Sequence, residues 1–358
     1  MSTAETQAQK VAPSVFLLGA SGYIGGAILA GLIHEYPKGK FYVQYRRDEH
    51  KSLLEKFSSN IEPVKATLQD GDILKHYASI ADVVVSAADC DDVPSAKSLI
   101  AGLEASSEKR KLEKKLKAVY IHTSGTGVLV DGDIPAGEED NTVYDDSDLK
   151  QIEGIAPSRP HREVDIIVTD ALERGHFLGY IVLPSTIYGI GNGPIHTVSQ
   201  QIPNLVNHAL TNKRSAYIEP GKNVWSNVHI DSLTKLYVSL IKLLLSPSAP
   251  PPPHHGFSHY IFGTSTSGPH SWKDLSAKVG DILYAHGLLS EGGSVGIARD
   301  KYKGPDMGYS NKQGALQLGT SVGKSVNGKE LVGWEDTEVV WDWLDQDVMA
   351  AVKEWNKE

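Results

Sequence analysis

The 358-residue chain is 40% hydrophobic and 22% charged, the balance of an ordinary soluble globular protein, and is long enough for one large domain or two closely joined ones. Its formal net charge is −9 with lysine and arginine dispersed, which disfavours nucleic acid as a partner, because phosphate binding needs a clustered basic face. Cys90 is the single cysteine, which argues against an internal disulfide framework or a cysteine-based zinc site and fits a reducing compartment.

The opening "MSTAETQAQK" carries Glu5 and lacks an apolar core, so it does not read as a signal peptide. The apolar run near residues 236–245 is broken by Lys242 and too short to span a bilayer. No membrane partner is expected, and the expected address is the cytosol. Residues 14–18, "SVFLL", read as a strand running into glycines, and 24–35 as a helix. Strands follow at 40–47 and 62–68. The run at 81–89 is apolar and bounded by aspartates, as in a strand buried on both faces. A charged helix spans 95–116, and further strands cover 116–125 and 177–189. This alternation predicts βαβ units, right-handed crossovers and an α/β, Rossmann-type doubly wound parallel sheet. Beyond it, 223–245 reads as a turn or short strand leading into a helix. Residues 246–255 read as a proline-rich surface spacer, 259–264 as a strand, 271–287 as an amphipathic helix and 336–355 as a terminal helix. The expected organisation is a dinucleotide-binding domain over 1–188, completed by segments within 225–265. A smaller substrate-binding part takes 189–224 and 265–358.

"LLGASGYIGG" places Gly19, Gly22 and Gly25 between strand and helix at G-x-x-G-x-x-G spacing. The first glycine permits the tight turn, the second lets backbone approach a pyrophosphate, and the third lets the helix pack closely on the strand. Ser21, Tyr23 and Ile24 share that loop, and the helix start offers free N–H groups to the anion. The acidic residue expected about 20 positions on for a ribose hydroxyl is missing. The second strand instead ends in Tyr45, Arg46 and Arg47. A guanidinium matches a 2′-phosphate, so NADP(H) is favoured over NAD(H); the competing reading makes both arginines a solvated strand end.

"APSRPHREVDIIVTDALERG", residues 156–175, reads as a helix with Val164, Ile167, Val168, Ala171 and Leu172 on its buried face. Pro160 suits its first turn and Gly175 its end. His161 and Arg162 stand at the positive end of the helix dipole, where a cation costs about 0.3–1 kcal/mol. Either they are exposed and incidental, or an anion nearby needs them.

Four further stretches are informative: "DVVVSAA" at 82–88, "IHTSGTG" at 121–127, "LPSTIYGIGNG" at 183–193 and "NVHIDSL" at 227–233. With the glycine loop, they resemble the short-chain dehydrogenase/reductase superfamily in its extended or atypical form. The chain is most similar to fungal proteins labelled NAD-dependent epimerase/dehydratase or NmrA-like. The resemblance covers almost the full length and implies roles. Ala87 and Ala88 would lie under the adenosine half of the cofactor. Ser124, with Thr123 and Gly125 beside it, would orient the substrate oxygen. Pro184, Thr186 and Ile187 would embrace the nicotinamide amide, and Trp225 and His229 would sit at the substrate rim. Helices flanking the serine strand suggest a homodimer.

The family's Tyr-x-x-x-Lys pair is absent between 120 and 180. The resemblance puts Pro157 on the tyrosine position and His161 on the lysine position. His161 is the candidate ribose-binding group or general acid, with Tyr144, Tyr188 and His122 as other proton donors. Arg162 would hold a cofactor phosphate or a substrate carboxylate. Asp231 reads as a helix cap. Trp341, Trp343 and Trp355 read as packing or surface aromatics. His254 and His255 read as incidental, and no His or carboxylate grouping argues for a metal. The acidic stretch 131–160 disfavours a strongly anionic substrate such as a sugar nucleotide. Three functions follow in order: an NADP(H)-dependent oxidoreductase on a small carbonyl or alcohol; a redox-neutral epimerase, dehydratase, isomerase or lyase that retains its cofactor; and an NmrA-like NADP(H) sensor.

Overall fold

The protein is described by a computed structural model covering residues 12–247, 255–301 and 318–356. The N-terminal decapeptide, most of the proline-rich spacer and His254 lie outside the described residues. Through Thr123, strands and helices alternate. They are β1 (Ser14–Leu18), α1 (Tyr23–Glu35), β2 (Lys40–Tyr45), α2 (Asp48–Phe57), β3 (Ile61–Lys65), α3 (Gly71–Ile80), β4 (Val83–Ser86), α4 (Val93–Leu112) and β5 (Val119–Thr123). After β6 (Tyr144–Asp145) come α5 (Leu149–Glu153), α6 (Arg162–Glu173) and β7 (Leu178–Pro184). The remainder is β8 (Thr186–Tyr188), α7 (Gln201–Asn212), β9 (Ser215–Ile218), β10 (Val224–Trp225), β11 (Asn227–His229), α8 (Ile230–Leu244), β12 (Tyr260–Gly263), β13 (His270–Ser271), α9 (Trp272–Ala285), β14 (Ser294–Ile297), β15 (Gly323–Lys324), α10 (Asn327–Val332) and α11 (Val340–Trp355).

Seven strands form one parallel sheet in the order β12-β7-β5-β4-β1-β2-β3. The central β4 is buried along its whole length, which is why its sequence is an unbroken apolar run. Leu29 and Leu32 of α1 and Leu236 and Leu240 of α8 pack on one face of the sheet. Leu74 of α3, Leu99 and Leu103 of α4, and Val164 and Val168 of α6 pack on the other. A third core joins α7, α9 and α11 through Leu205, Leu275, Leu344 and Val348. The sheet is doubly wound, and its order reverses between β1 and β4, the switch point beyond whose carboxyl ends such folds bind ligands.

Two local expectations change. β2 ends at Tyr45, so Arg46 and Arg47 form the turn into α2. The helix with the PHRE start begins at Arg162, and His161 is its N-cap in the left-handed region at φ 67°. Gly175, at φ 68°, ends that helix as expected by returning its N–H to Leu172 O.

Candidate active site

Gly19, Ala87, Ser124 and Ser185 each follow directly on β1, β4, β5 and β7, so one sheet edge gathers residues more than 160 positions apart. A Cβ on Gly19 would stand 2.2 Å from Ala87 O, and one on Gly25 would stand 2.3 Å from Gly19 O. Backbone therefore packs on backbone there, and no side chain fits. Gly22 is the N-cap of α1, with no side-chain cap and no acidic residue in the first turn. The helix start keeps its N–H groups for an anion. Gly22, Tyr23, Ile24 and Ala87 line one end of a cavity of about 650 Å³. A cradle that any Cβ would fill, opening on a cavity of ligand size, fits the pyrophosphate of a dinucleotide.

The segment after β7 is clamped from two sides. Tyr23 Oη donates to Gly189 O at 2.6 Å. Gly189 N–H is held by both carboxylate oxygens of Asp347 from α11, at 2.9 and 3.1 Å. Burial lifts Asp347 to about 6, against the hydrogen bond that favours its charge. Pro184, Ser185 and Ile187 thereby line the cavity. Thr186 is buried in β8, and Thr123 is buried and accepts from Tyr237 Oη at 2.9 Å. Gly19, Gly25, Ser21 and Ala88 shape the cradle region without lining the cavity. Arg46 and Arg47 are exposed at the carboxyl end of β2, the strand next to β1.

The opposite wall is built of side chains. Ser124, Gly125 and His161 line the cavity together. Ser124 Oγ donates to Asp165 Oδ2 at 2.9 Å, and Tyr260 Oη donates to the same oxygen at 2.8 Å. Arg162 Nη1 donates to Tyr260 Oη at 2.6 Å, and Nη2 donates to Ile152 O at 2.8 Å. Its guanidinium lies 4.4 Å from the Phe257 ring centroid. Arg162 is 1% exposed, which corrects the expectation that it reaches a ligand. Its anion is internal: Asp165, through Tyr260. Burial lifts Asp165 to about 6, against the hydrogen bonds from Tyr260 and Ser124 that favour the carboxylate. His122 Nε2 lies 3.8 Å from Asp165 Oδ1, and burial lowers that imidazole to about 4, keeping it neutral.

His161 answers a different anion. Its Nδ1 lies 2.8 Å from Asp91 Oδ1 and 3.1 Å from Cys90 Sγ. A Cβ on Gly125 would stand 3.5 Å from its Nε2, so that edge of the ring faces the serine loop. Burial works against the imidazolium, but Asp91 and Cys90 outweigh it and raise His161 to about 10. Burial pushes the Cys90 thiol up. The ligand atoms of Cys90, Asp91 and His161 lie within 4.8 Å of one another, a grouping able to hold a metal ion. The sequence gives no sign of this grouping, because 70 residues separate His161 from Asp91.

Other candidates lie elsewhere. Tyr144 is half-buried on β6, paired with β15, and does not line the cavity. Tyr188 is fully buried in the third core, its ring 5.3 Å from that of His229. His229 is itself buried and caps α8, its Nδ1 accepting the Asp231 N–H at 3.3 Å. The cap is thus His229 rather than Asp231. Trp225 does line the cavity, and so does Trp355, which the sequence suggested was only packing or surface.

The outer half is polar and carries one carboxylate, Glu354. Gln201, Asn204 and Asn207 of α7 face Trp225, Ala351 and Trp355. His161, His196 and Glu354 are the titratable residues besides Tyr23 on the walls, and no lysine or arginine lines them among the described residues. α7 and Asp165 escaped the sequence reading. The Gln-Asn spacing at 201, 204 and 207 was the available signal for a polar helix face.

Solved structures share this architecture. The UDP-glucose 4-epimerase of Thermotoga maritima, solved with UDP-glucose, is 15% identical, with a TM-score of 0.62 over 96% of this chain and 99% of that one. The dTDP-glucose 4,6-dehydratase of Bacillus anthracis, solved with NAD, is 15% identical, with a TM-score of 0.62 over 96% and 98%. In sequence, the chain is 25% identical over 292 residues to a protein of Acremonium sp. described as the oxidase ucsJ, spanning 78% of this chain and 81% of that protein. An uncharacterized protein of Saccharomyces cerevisiae is 25% identical over 218 residues, 60% of this chain and 66% of that protein. No protein-family model matches. The fold, a mostly parallel Rossmann-like α/β sheet with flanking helices, is that of these epimerase and dehydratase structures.

Proposed function

We propose that this protein is an NAD(P)(H)-dependent oxidoreductase acting on a small, neutral alcohol or carbonyl compound. The observation that carries this reading is one cavity lined at one end by the glycine loop and at the other by Ser124 and His161. When bound, the dinucleotide supplies a hydride acceptor or donor. Gly22, Tyr23 and Ile24 would hold its pyrophosphate, with Gly19 and Gly25 keeping the cradle open. Pro184, Ser185 and Ile187 would flank the nicotinamide. His161, kept cationic by Asp91, stands where the family resemblance puts the ribose-binding lysine and supplies a fixed positive charge there. Ser124 holds the substrate oxygen. The sheet carries the dinucleotide, and the third core carries the substrate.

Arg46 or Arg47 would read a 2′-phosphate, which supports NADP(H) over NAD(H). The likeness to an oxidase supports net redox turnover. The structural neighbours, an epimerase solved with UDP-glucose and a dTDP-glucose dehydratase solved with NAD, favour a second reading, a redox-neutral epimerase or dehydratase. Against it, no lysine or arginine among the described residues lines the walls for a sugar diphosphate. A purely sensing protein has no need of Ser124 or of a second cavity half. The test is a panel of neutral secondary alcohols and ketones with NADP(H) and NAD(H), followed by nicotinamide absorbance. Turnover, faster with NADP(H), is expected. Dinucleotide retained through purification with no net turnover sinks the redox reading in favour of the redox-neutral one.

A further inference from the structure

We infer that Asp165 is the proton reservoir of this site, reached through Ser124, and that it takes the place of the missing tyrosine. The inference rests on the redox reading above. Ser124 has one proton to donate, and it is aimed away from the cavity, at Asp165 Oδ2, 2.9 Å away. Toward the cavity a serine so committed offers only lone pairs. It accepts from an alcohol O–H and has nothing to give a carbonyl oxygen. If Asp165 is protonated, the polarity reverses. The carboxyl O–H donates to Ser124 Oγ, and Ser124 donates to a carbonyl.

The oxidation step then balances without another side chain. The alcohol O–H proton passes to Ser124 Oγ while Ser124 passes its own to Asp165 Oδ2. The C–H bond breaks, its hydrogen leaving with the electron pair to an oxidised nicotinamide dinucleotide, and the C=O bond forms. Asp165 ends as the neutral acid. Ser124 is the catalytic residue, and Asp165 acts through it.

The surroundings suit a reservoir. Asp165 is fully buried, so its proton exchanges with the cavity by way of Ser124. Oδ1 has no hydrogen-bond partner among the described residues. Groups facing it come from every neighbouring element: Tyr260 from β12, Arg162 from α6 through Tyr260, His122 and Tyr120 from β5, His161 from the start of α6 and Cys90 from beyond β4. Tyr260, pinned by Arg162, steadies the carboxylate when it is charged. Burial sets the titration near 6, where a carboxylate can exchange a proton at physiological pH. His161 cannot serve, because Asp91 and Cys90 hold its Nδ1 edge and keep it cationic.

The test pairs infrared titration of the ligand-free protein with pH profiles. Buried Asp146 and Asp347 are also raised to about 6, so the Asp165 band is read from the difference between wild type and Asp165→Asn, which should show one carboxyl titrating near pH 6. Wild-type alcohol oxidation, as kcat/KM, should rise through the same pH, and carbonyl reduction should fall through it. Asp165→Asn should lose roughly 10²-fold or more in oxidation, and Asp165→Glu should recover part of it with a displaced midpoint. A difference spectrum with no carboxyl titrating near pH 6, or an Asp165→Asn enzyme with an unchanged oxidation profile, would each overturn the proposal. If Asp165→Asn does not fold, Ser124→Ala decides. Its oxidation should collapse while the carboxyl band remains, and an unchanged pH profile sinks the relay. If the wild type oxidises no alcohol with either dinucleotide, the redox reading has failed, and the carboxyl titration alone decides whether Asp165 holds the proton.

Discussion

At the end of the cavity beyond β1 and β4, the ligand-facing surface is the start of α1 with Ala87, and behind it Gly19 and Gly25 pack backbone on backbone with no room for a Cβ. At the end beyond β5 and α6 it is side chain: Ser124 and His161, tied to the buried Asp165 and the exposed Asp91. The first end recognises by shape and by helix N–H groups and tolerates almost no substitution. The second end is a network of charges and protons, in which a substitution changes chemistry before it changes shape. Brittleness belongs to the cradle and tunability to the serine wall.

The largest effect should come from Gly19→Ala. Its Cβ would meet a carbonyl at 2.2 Å on a backbone at φ 85°, so a loss of about 4 kcal/mol in urea denaturation is expected, with loss of dinucleotide binding. A stable Gly19→Ala protein that binds dinucleotide would break the contrast. Next is Arg162→Met, which strands Asp165 and Tyr260 in the core. It should cost about 3 kcal/mol, with dinucleotide affinity of the folded protein unchanged. Unchanged stability with weakened ligand binding would instead restore Arg162 to the site.

His161→Ala should weaken dinucleotide binding roughly tenfold, about 1.4 kcal/mol, measured by fluorescence titration. It should also change alkaline stability. The folded His161 titrates near 10, above its ordinary 6.5, so its contribution is complete below pH 6.5 and fades as pH rises toward 10. Denaturation midpoints should fall over that window in the wild type more than in His161→Ala. The smallest effect is Arg46→Ala or Arg47→Ala. One of the two should lower the preference for NADP(H) over NAD(H) by roughly tenfold, with stability changed by less than about 0.5 kcal/mol. An unmoved ratio in both variants would remove the 2′-phosphate assignment.

The brittle end was also the legible one. Its glycines lie within seven residues, and the strand–loop–helix context surrounds them in sequence, so local spacing carries the geometry. Ser124 could be placed because it ends a recognisable strand. The network behind it could not. Ser124 and Asp165 are 41 residues apart, and Asp165 and Tyr260 are 95 apart. No periodicity announces such pairs. Arg162 was misjudged because a helix-terminus argument weighs the dipole of one helix. A partner from β12 and an apolar enclosure decided its position instead. α7 was missed because its wall-forming face is polar, and polarity in sequence suggests solvent.

The grip of Asp347 on Gly189 bears on anyone who would redesign the pocket. Asp347 and Trp355 ride on one helix, eight residues or about 12 Å apart, so α11 is at once a wall of the cavity and the strut of the segment after β7. Swapping Trp355 or Ala351 to admit a bulkier molecule levers the same rod that steadies Gly189, and gains in scope come with a loosened cofactor. Asn204 and Asn207 on α7 line the same space without sitting on that rod, which makes them the positions at which selectivity can be rewritten first.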